Sequence, residues 1–191
     1  RLDRLGEQEQ TSLKVASVIG REFPVPWLQA CRPERRADDV ALDLRAAARA
    51  GVAVPVSEEP PLYRFDHTIT HEAAYESLPH ALKVELHGRV ARHVEEAVAS
   101  PADPHLDELA FHYGRSAFPE KRREYLWKAG LAAKANYASE SAVLYLEKLL
   151  SEVSGEEALP ALLALGEVEA FAGEHARAER RLREALEVAR A

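Results

Sequence analysis

The sequence predicts a mainly α-helical fold with one short β-hairpin, on three observations. Apolar residues recur at helical spacing along most of the 191 residues. A β-rich stretch lies near residues 52–66, and the last third of the chain repeats itself after 36 residues. The 47% hydrophobic and 30% charged content is ordinary for a folded chain. No apolar run approaches the about 18 residues of a membrane span.

The first two helices are predicted from apolar spacing and from breakers. One helix covers residues 2–19, is interrupted by the polar stretch 6–12, and ends at Gly20. Pro24 and Pro26 open a second, short helix that carries an apolar pair. The chain therefore begins with two helices joined by a short connection.

A third helix and a hairpin complete the first domain. The helix begins at a cap formed by Asp38 or Asp39 and ends at Gly51. Two strands follow, over 52–56 and 62–66, separated by a turn rich in proline and glutamate. Three helices followed by a two-stranded hairpin is the order of elements in a winged-helix domain.

The rest of the chain is predicted to be helical. Thr68 caps a helix that continues to Leu78, and the clearest loop in the chain is 100–104. The helix between them has an i, i+4 apolar stripe of Leu82, Leu86, Val90, Val94 and Val98. We assign residues 1–80 to a winged-helix domain, 81–104 to a connecting helix and linker, and 105–191 to helical repeats.

The repeats have the spacing of tetratricopeptide (TPR) helix pairs, with small residues where helices cross. The last copy contains Leu162, Leu165, Gly166, Gly173, Ala178, Leu182 and Ala185. The preceding copy contains Leu126, Gly130, Ala142, Leu146 and Leu149, with Tyr137 at the place of Gly173. The two glycines at the crossings are 36 residues apart, close to the about 34 of the TPR repeat. An ordinary antiparallel helical bundle is the alternative.

Three further expectations concern the ends of these repeats. A weaker upstream copy contains Ala110, Tyr113, Leu126 and Ala129, and Ser154 with Glu157 forms a capping box before the final pair. The last helix has an apolar stripe of Ala178, Leu182, Ala185, Leu186 and Ala189, which predicts that repeats continue or that the face drives dimerisation.

The chain also lacks methionine and starts at Arg1, so we expect it to be part of a longer protein.

The sequence contains no pattern that predicts catalysis or a metal site. Its glycines form no phosphate-binding loop, so we expect no nucleotide-hydrolysing core within these residues. His71 and Glu72 begin a zinc-protease motif, but Tyr75 replaces its second histidine. Cys31 has no neighbouring base and is the single cysteine, which favours a reducing compartment such as the cytoplasm. We therefore predict a non-enzymatic chain without metal or bound cofactor.

Direct DNA binding is disfavoured by charge. The chain carries a net charge of −7. The predicted third helix offers Arg45 and Arg49, but also three aspartates, and the hairpin tip contains Glu58 and Glu59. We expect a winged helix that serves as a packing module rather than as a DNA reader.

Two blocks in the middle of the chain suggest a family. Residues 63–67 and 72–79 resemble the region after the ATPase core in bacterial STAND proteins, the signal-transduction ATPases with numerous domains. Weaker matches lie at 2–5, 16–23, 85–87 and 108–113. In this family the ATPase is joined to adenylate cyclase or other nucleotide cyclase, kinase or DNA-binding output domains, so the resemblance implies a regulator of signalling or transcription.

The resemblance also implies a nucleotide-sensing role. In the family, the winged helix packs on the nucleotide-binding core and helps to hold the inactive, ADP-bound state. A histidine after the second strand can contact the phosphates, and His67 has that position here. The match is incomplete, because the best-known version reads Met-His-Asp whereas this chain has Phe65, Asp66 and His67. A histidine that caps the following helix is the alternative, and ADP or ATP would be bound only in the parent protein.

The helical repeats imply a second role, in which stacked helix pairs form a groove for a protein or peptide partner. The candidate groove residues are Lys128, Lys134, Asn136, Glu167 and Glu169. The function predicted is thus a non-catalytic regulatory and interaction segment whose partners are the upstream ATPase core and a protein on the repeats, without membrane contact. Two alternatives stay open: a stand-alone TPR interaction scaffold and a winged-helix DNA-binding transcription factor.

Overall fold

A computed structural model describes residues 4–97 and 105–190, which are mainly α-helical with one small antiparallel sheet. The chain divides into two compact units. The first comprises Arg1–Asp103 and Arg115–Ala117, and the second comprises Pro104–Gly114 and Phe118–Ala191. The predicted loop 100–104 and Val98 lie outside the described residues, as do Leu2 and the chain ends.

The first unit contains five helices and three strands within the described residues. In chain order these are α1 (Glu7–Ile19), β1 (Glu22–Pro24), α2 (Val25–Cys31), α3 (Ala37–Arg49), β2 (Ala53–Glu58), β3 (Pro61–Phe65), α4 (Thr68–Glu76) and α5 (His80–Ala97). The sheet order is β1-β3-β2, with both pairs antiparallel. The hairpin agrees with the prediction, whereas β1 is an additional third strand that pairs Phe23 with Tyr63.

Several predicted helix starts are wrong. The polar stretch 6–12 does not interrupt α1, because the helix begins at Glu7 and the Gly6 N–H donates to Glu9 Oε2 at 2.6 Å. The residue at the cap of α3 is Arg36, and Asp38 and Asp39 lie in its first turn.

Thr68 is likewise the first helical residue of α4, and His67 occupies the cap position, without a side-chain capping bond. Acidic residues in the first turn of a helix interact favourably with the helix dipole. The two aspartates in the first turn of α3 therefore stabilise its N-terminus without capping it.

The core of the first unit combines aromatic packing with a buried ionic network. Phe23 and Phe65 are fully buried, with ring centroids 5.5 Å apart. Asp43 on α3 is also buried; its carboxylate accepts from Ser12 Oγ at 2.6 Å and from Arg35 Nη2 at 2.7 Å. Because Arg32 donates to the same Ser12 oxygen at 2.6 Å, the network ties α1 and α3 to the loop after α2.

The second unit contains five helices and a short 3-10 turn within the described residues. They are α6 (Leu106–Tyr113), α7 (Pro119–Ala135), α8 (Ser139–Leu150), the 3-10 turn (Gly155–Ala158), α9 (Leu159–Phe171) and α10 (His175–Arg190). Ser154 precedes the 3-10 turn and makes no side-chain capping bond, so the predicted capping box with Glu157 is wrong. Leu126 packs with Leu149, and Ala133 with Ala142, which makes α7 and α8 antiparallel.

Candidate functional site

His67 lies at an exposed junction between β3 and α4. Its side chain is 51% exposed, and its Nε2 atom is 3.2 Å from Asp66 Oδ2. The cap position fixes the backbone, while the ring extends without a capping bond. The imidazole is therefore accessible to a partner, and an anionic partner would have to compete with the Asp66 carboxylate.

The neighbouring histidines have internal partners. His71 lies 3.0 Å from the Ser17 carbonyl oxygen. His87 is buried and shares a 3.1 Å hydrogen bond with the Tyr75 hydroxyl. Burial, more than the nearby charges of Arg115 and Lys83, lowers the pKa of His87 to about 4. Both rings thus serve the packing of the first unit.

Nucleophilic and metal chemistry find little support in the described ranges. The thiol of Cys31 is buried, and this burial raises its pKa to about 12, against the opposing charge of Arg89. A thiol in that state is a poor nucleophile. Residues 4–97 and 105–190 contain no group of three or more His, Cys, Asp or Glu side chains that could hold a metal ion.

The surface of α3 is not a strongly basic one. Arg45 and Arg49 are exposed, but Arg36 lies 3.9 Å from the Asp38 carboxylate. Asp43, one of the three aspartates counted on the predicted third helix, is buried with its arginine partners and does not face solvent, so the expectation that it makes this surface more acidic is wrong. The hairpin tip bears exposed Glu58 and Glu59, which repel phosphate.

In the second unit, α7 crosses α8 and α9 crosses α10, and at both crossings a glycine of the first helix faces a leucine of the second. A Cβ atom at Gly130 would lie 2.9 Å from Leu146 Cγ, and one at Gly166 would lie 3.0 Å from Leu182 Cγ. Each leucine follows its glycine by 16 residues. The other residues that we expected to pack the repeats are buried, namely Ala142, Leu165, Ala178 and Ala185.

Four of the five expected groove residues are at least partly accessible. Lys128 pairs with Glu124 on its own helix at 2.5 Å, and Lys134 of α7 forms an ion pair with Glu167 of α9. Asn136 is exposed at the end of α7. These residues therefore lie along α7 and α9, the first helices of the two pairs.

Glu169 does not belong with them. It is 1% exposed and lies between α9 and α10, with Oε1 at 3.3 Å from Arg177 Nε and 3.7 Å from Arg181 Nε. Both arginines also approach Glu147 of α8, at 3.4 and 2.6 Å. No pattern in the sequence singled out this cluster, although the two arginines are spaced to share one face of α10.

A second surface that the sequence indicated only in part is the outer face of α10. Leu182 is 45% exposed and Leu186 is 49% exposed. They form a shallow apolar groove with Ala178, rimmed by His175, Glu179 and Arg183. The corresponding face of α8, 36 residues earlier, is covered by Ala164 and Leu165 of α9.

None of the helices in the described ranges has the length and apolar content needed to cross a bilayer. No family model, curated protein or solved structure matches the chain. The features of the chain that bear on function are therefore the accessible His67, the helix pairs, and the uncovered face of α10.

Proposed function

We propose that the chain is the non-catalytic regulatory and protein-interaction segment of a STAND-type ATPase that acts in signalling or transcription. In this proposal the first unit is a winged-helix domain that packs on an ATPase core. The second unit is a TPR-like array that binds a protein or peptide partner. The chain acts in the cytoplasm, and ADP or ATP is bound by the core.

One observation carries the interaction role. The same contact, a glycine against a leucine that follows it by 16 residues, recurs in consecutive helix pairs, yet the face covered in the first pair is uncovered in the second. Helix pairs that stack in this way present extended surfaces to partners. Half-exposed Leu182 and Leu186 give such a partner an apolar patch to bury.

The regulatory role is supported by the place of His67. Three helices and a hairpin precede it, β1 adds a strand to the hairpin, and the accessible ring stands where the family resemblance puts a phosphate contact. An imidazole at this position can donate a hydrogen bond to the β-phosphate of ADP and thereby favour the inactive state. Partner binding on the helices would bias the same equilibrium.

The test measures ADP release from the chain joined to its ATPase core. His67→Ala should speed ADP dissociation by about tenfold, the worth of one charge-assisted hydrogen bond, and raise basal output. His80→Ala, which removes an exposed histidine at the start of α5, is the matched control and should change neither quantity. Equal ADP release from the His67→Ala and wild-type proteins would contradict the regulatory proposal.

The DNA-reading alternative is tested separately by anisotropy of a labelled duplex at low salt. The mixed charge of α3 and the acidic hairpin tip predict no saturable binding. Binding that weakens steeply with salt and is lost in Arg45→Ala would favour the transcription-factor alternative instead.

A further inference from the structure

Two aromatic side chains contact each other on the surface of the second unit. Tyr137 follows α7 and Phe171 ends α9; their ring centroids are 5.4 Å apart and the ring planes are tilted by 39°. The two residues are nevertheless 74% and 68% exposed. About one turn before them, Lys134 and Glu167 form an ion pair between the same two helices. The rings are therefore placed by the ends of two packed helices.

Tyr137 occupies a backbone position that favours glycine. Its φ is 59°, and the equivalent residue of the next turn is Gly173, with a φ of 82°. The same type of hydrogen bond closes both turns, from the Ala138 N–H to the Ala133 carbonyl and from the Glu174 N–H to the Glu169 carbonyl. This closure is a Schellman motif, in which the left-handed residue is usually glycine.

The backbone therefore gives no reason for a tyrosine at this position. A left-handed conformation costs a residue with a Cβ free energy that glycine does not lose, and the chain uses glycine in the same turn 36 residues later. A ring that is 74% exposed gains little from burial in return. Strain retained beside an exposed aromatic pair points to a binding role for the ring.

Each ring is followed three positions later in the chain by an acidic residue. Glu140 lies in the first turn of α8 and Glu174 immediately before α10, and both are exposed. Neither forms an ion pair within the part of the chain that the structure describes, whereas the charge of Lys134 is balanced by Glu167. Such surroundings favour a cationic partner and disfavour a phosphate backbone.

We propose that Tyr137 and Phe171 form a docking site for an extended, proline-containing peptide that carries lysine or arginine. Proline side chains of a peptide in the polyproline II conformation pack against tilted aromatic rings. Because this conformation is largely preformed, the peptide loses little conformational entropy on binding. The Tyr137 hydroxyl can donate to a peptide carbonyl, since that conformation leaves carbonyls without internal partners. Basic side chains of the peptide would then pair with Glu140 and Glu174. The inference rests on the proposed function in taking the second unit to bind a protein segment.

The experiment measures the affinity of the whole chain for a fluorescein-labelled proline–lysine repeat peptide. A proline–glutamate repeat and oligothymidine serve as comparison probes. We expect the proline–lysine peptide to bind best, and Tyr137→Gly or Phe171→Ala to weaken it by about tenfold each. Leu163→Ala, at a 43% exposed apolar position on the same helix as Phe171, should leave the affinity unchanged.

Tyr137→Gly is also the internal control for folding. It installs the residue found in the equivalent turn, so its melting temperature should equal or exceed that of the wild type while binding falls. Reversing the charge with Glu140→Lys and Glu174→Lys should shift the preference toward the proline–glutamate peptide.

Three outcomes would overturn the inference: no binding of the proline–lysine peptide, equal affinity in both ring variants, or a preference for oligothymidine. If Leu186→Glu weakens binding and the ring variants do not, the peptide lies on α10. That result would reject the docking site at the rings and leave the proposed function intact, because the ADP-release measurement stands apart from it.

Discussion

A Cβ atom at Gly130 would lie 2.9 Å from Leu146 Cδ2, and Gly166 bears the same relationship to Leu182 in the next helix pair. The two contacts differ in how far the leucine can move. Leu146 is fully buried, whereas Leu182 is 45% exposed. A methyl group added at the first crossing has no room, and one added at the second can displace a side chain toward solvent.

Alanine substitutions should therefore separate the two crossings. Gly130→Ala should lower the free energy of unfolding of the second unit by about 1–2 kcal/mol, since overpacking outweighs the better helix propensity of alanine. Gly166→Ala should be neutral or stabilising by up to about 1 kcal/mol. Urea titrations followed by circular dichroism measure both, and equal losses in the two variants would contradict the argument.

The buried carboxylate of Glu169 offers a second prediction. Glu169→Gln should destabilise the second unit by about 1–3 kcal/mol, because it removes the charge of a buried carboxylate that faces the partly exposed Arg177 and Arg181. Glu167→Gln on the same helix is the matched control. Its side chain is 64% exposed, so the change should stay within about 0.5 kcal/mol. Similar unfolding midpoints for the two variants would show that burial of Glu169 does not matter.

His87 should make the first unit less stable in acid. Its pKa is about 4 in the folded chain, against an ordinary value of 6.5 that applies to the unfolded chain. Between pH 4 and pH 6.5 the unfolded state therefore binds more protons than the folded state. The stabilisation from keeping His87 neutral is complete above pH 6.5, is lost as the pH falls toward 4, and amounts to about 3 kcal/mol at most.

His87→Gln tests this pH dependence because an amide can still bond the Tyr75 hydroxyl and does not titrate in this range. The difference in unfolding free energy between wild type and variant, measured by denaturant at pH 7 and pH 4.5, should shrink toward the lower pH. A difference that is independent of pH would exclude His87 as the source.

The uncovered face of α10 should drive self-association of the chain. Leu186→Glu places a charge within the apolar groove and should reduce the concentration-dependent increase in sedimentation coefficient. Leu144→Glu, at a 51% exposed position on α8, is the control and should leave sedimentation unchanged. Both variants should keep the unfolding free energy within about 0.5 kcal/mol. A wild-type chain that stays monomeric at all concentrations would contradict this prediction.

Most helices were predictable because their signals are local. Apolar spacing and chain breakers located α2 to α5 to within a few residues and gave the end of α1, although not its start. The recurrence of Gly130 at Gly166 also indicates both helix crossings. These features depend on residues close in sequence or on a repeated pattern.

The features that were missed depend on distant partners. The strand β1 has three residues and no alternation of its own, and it exists through pairing with β3. Nothing local distinguishes buried Glu169 from exposed Glu167, because the arginines that hold it belong to the next helix. The same holds for Asp43, whose partner Ser12 is 31 residues away.

The pairing of β1 with β3 has a consequence for the order in which the chain folds. Residues Glu22 and Arg64 become neighbours only after the intervening helices have collapsed, so the entropy of a long loop must be lost first. We expect amides such as that of Phe65, which donates to the Arg21 carbonyl, to exchange with solvent only when the whole first unit opens. In the second unit contacts join mostly successive helices, so exchange there should proceed pair by pair from α10 inward.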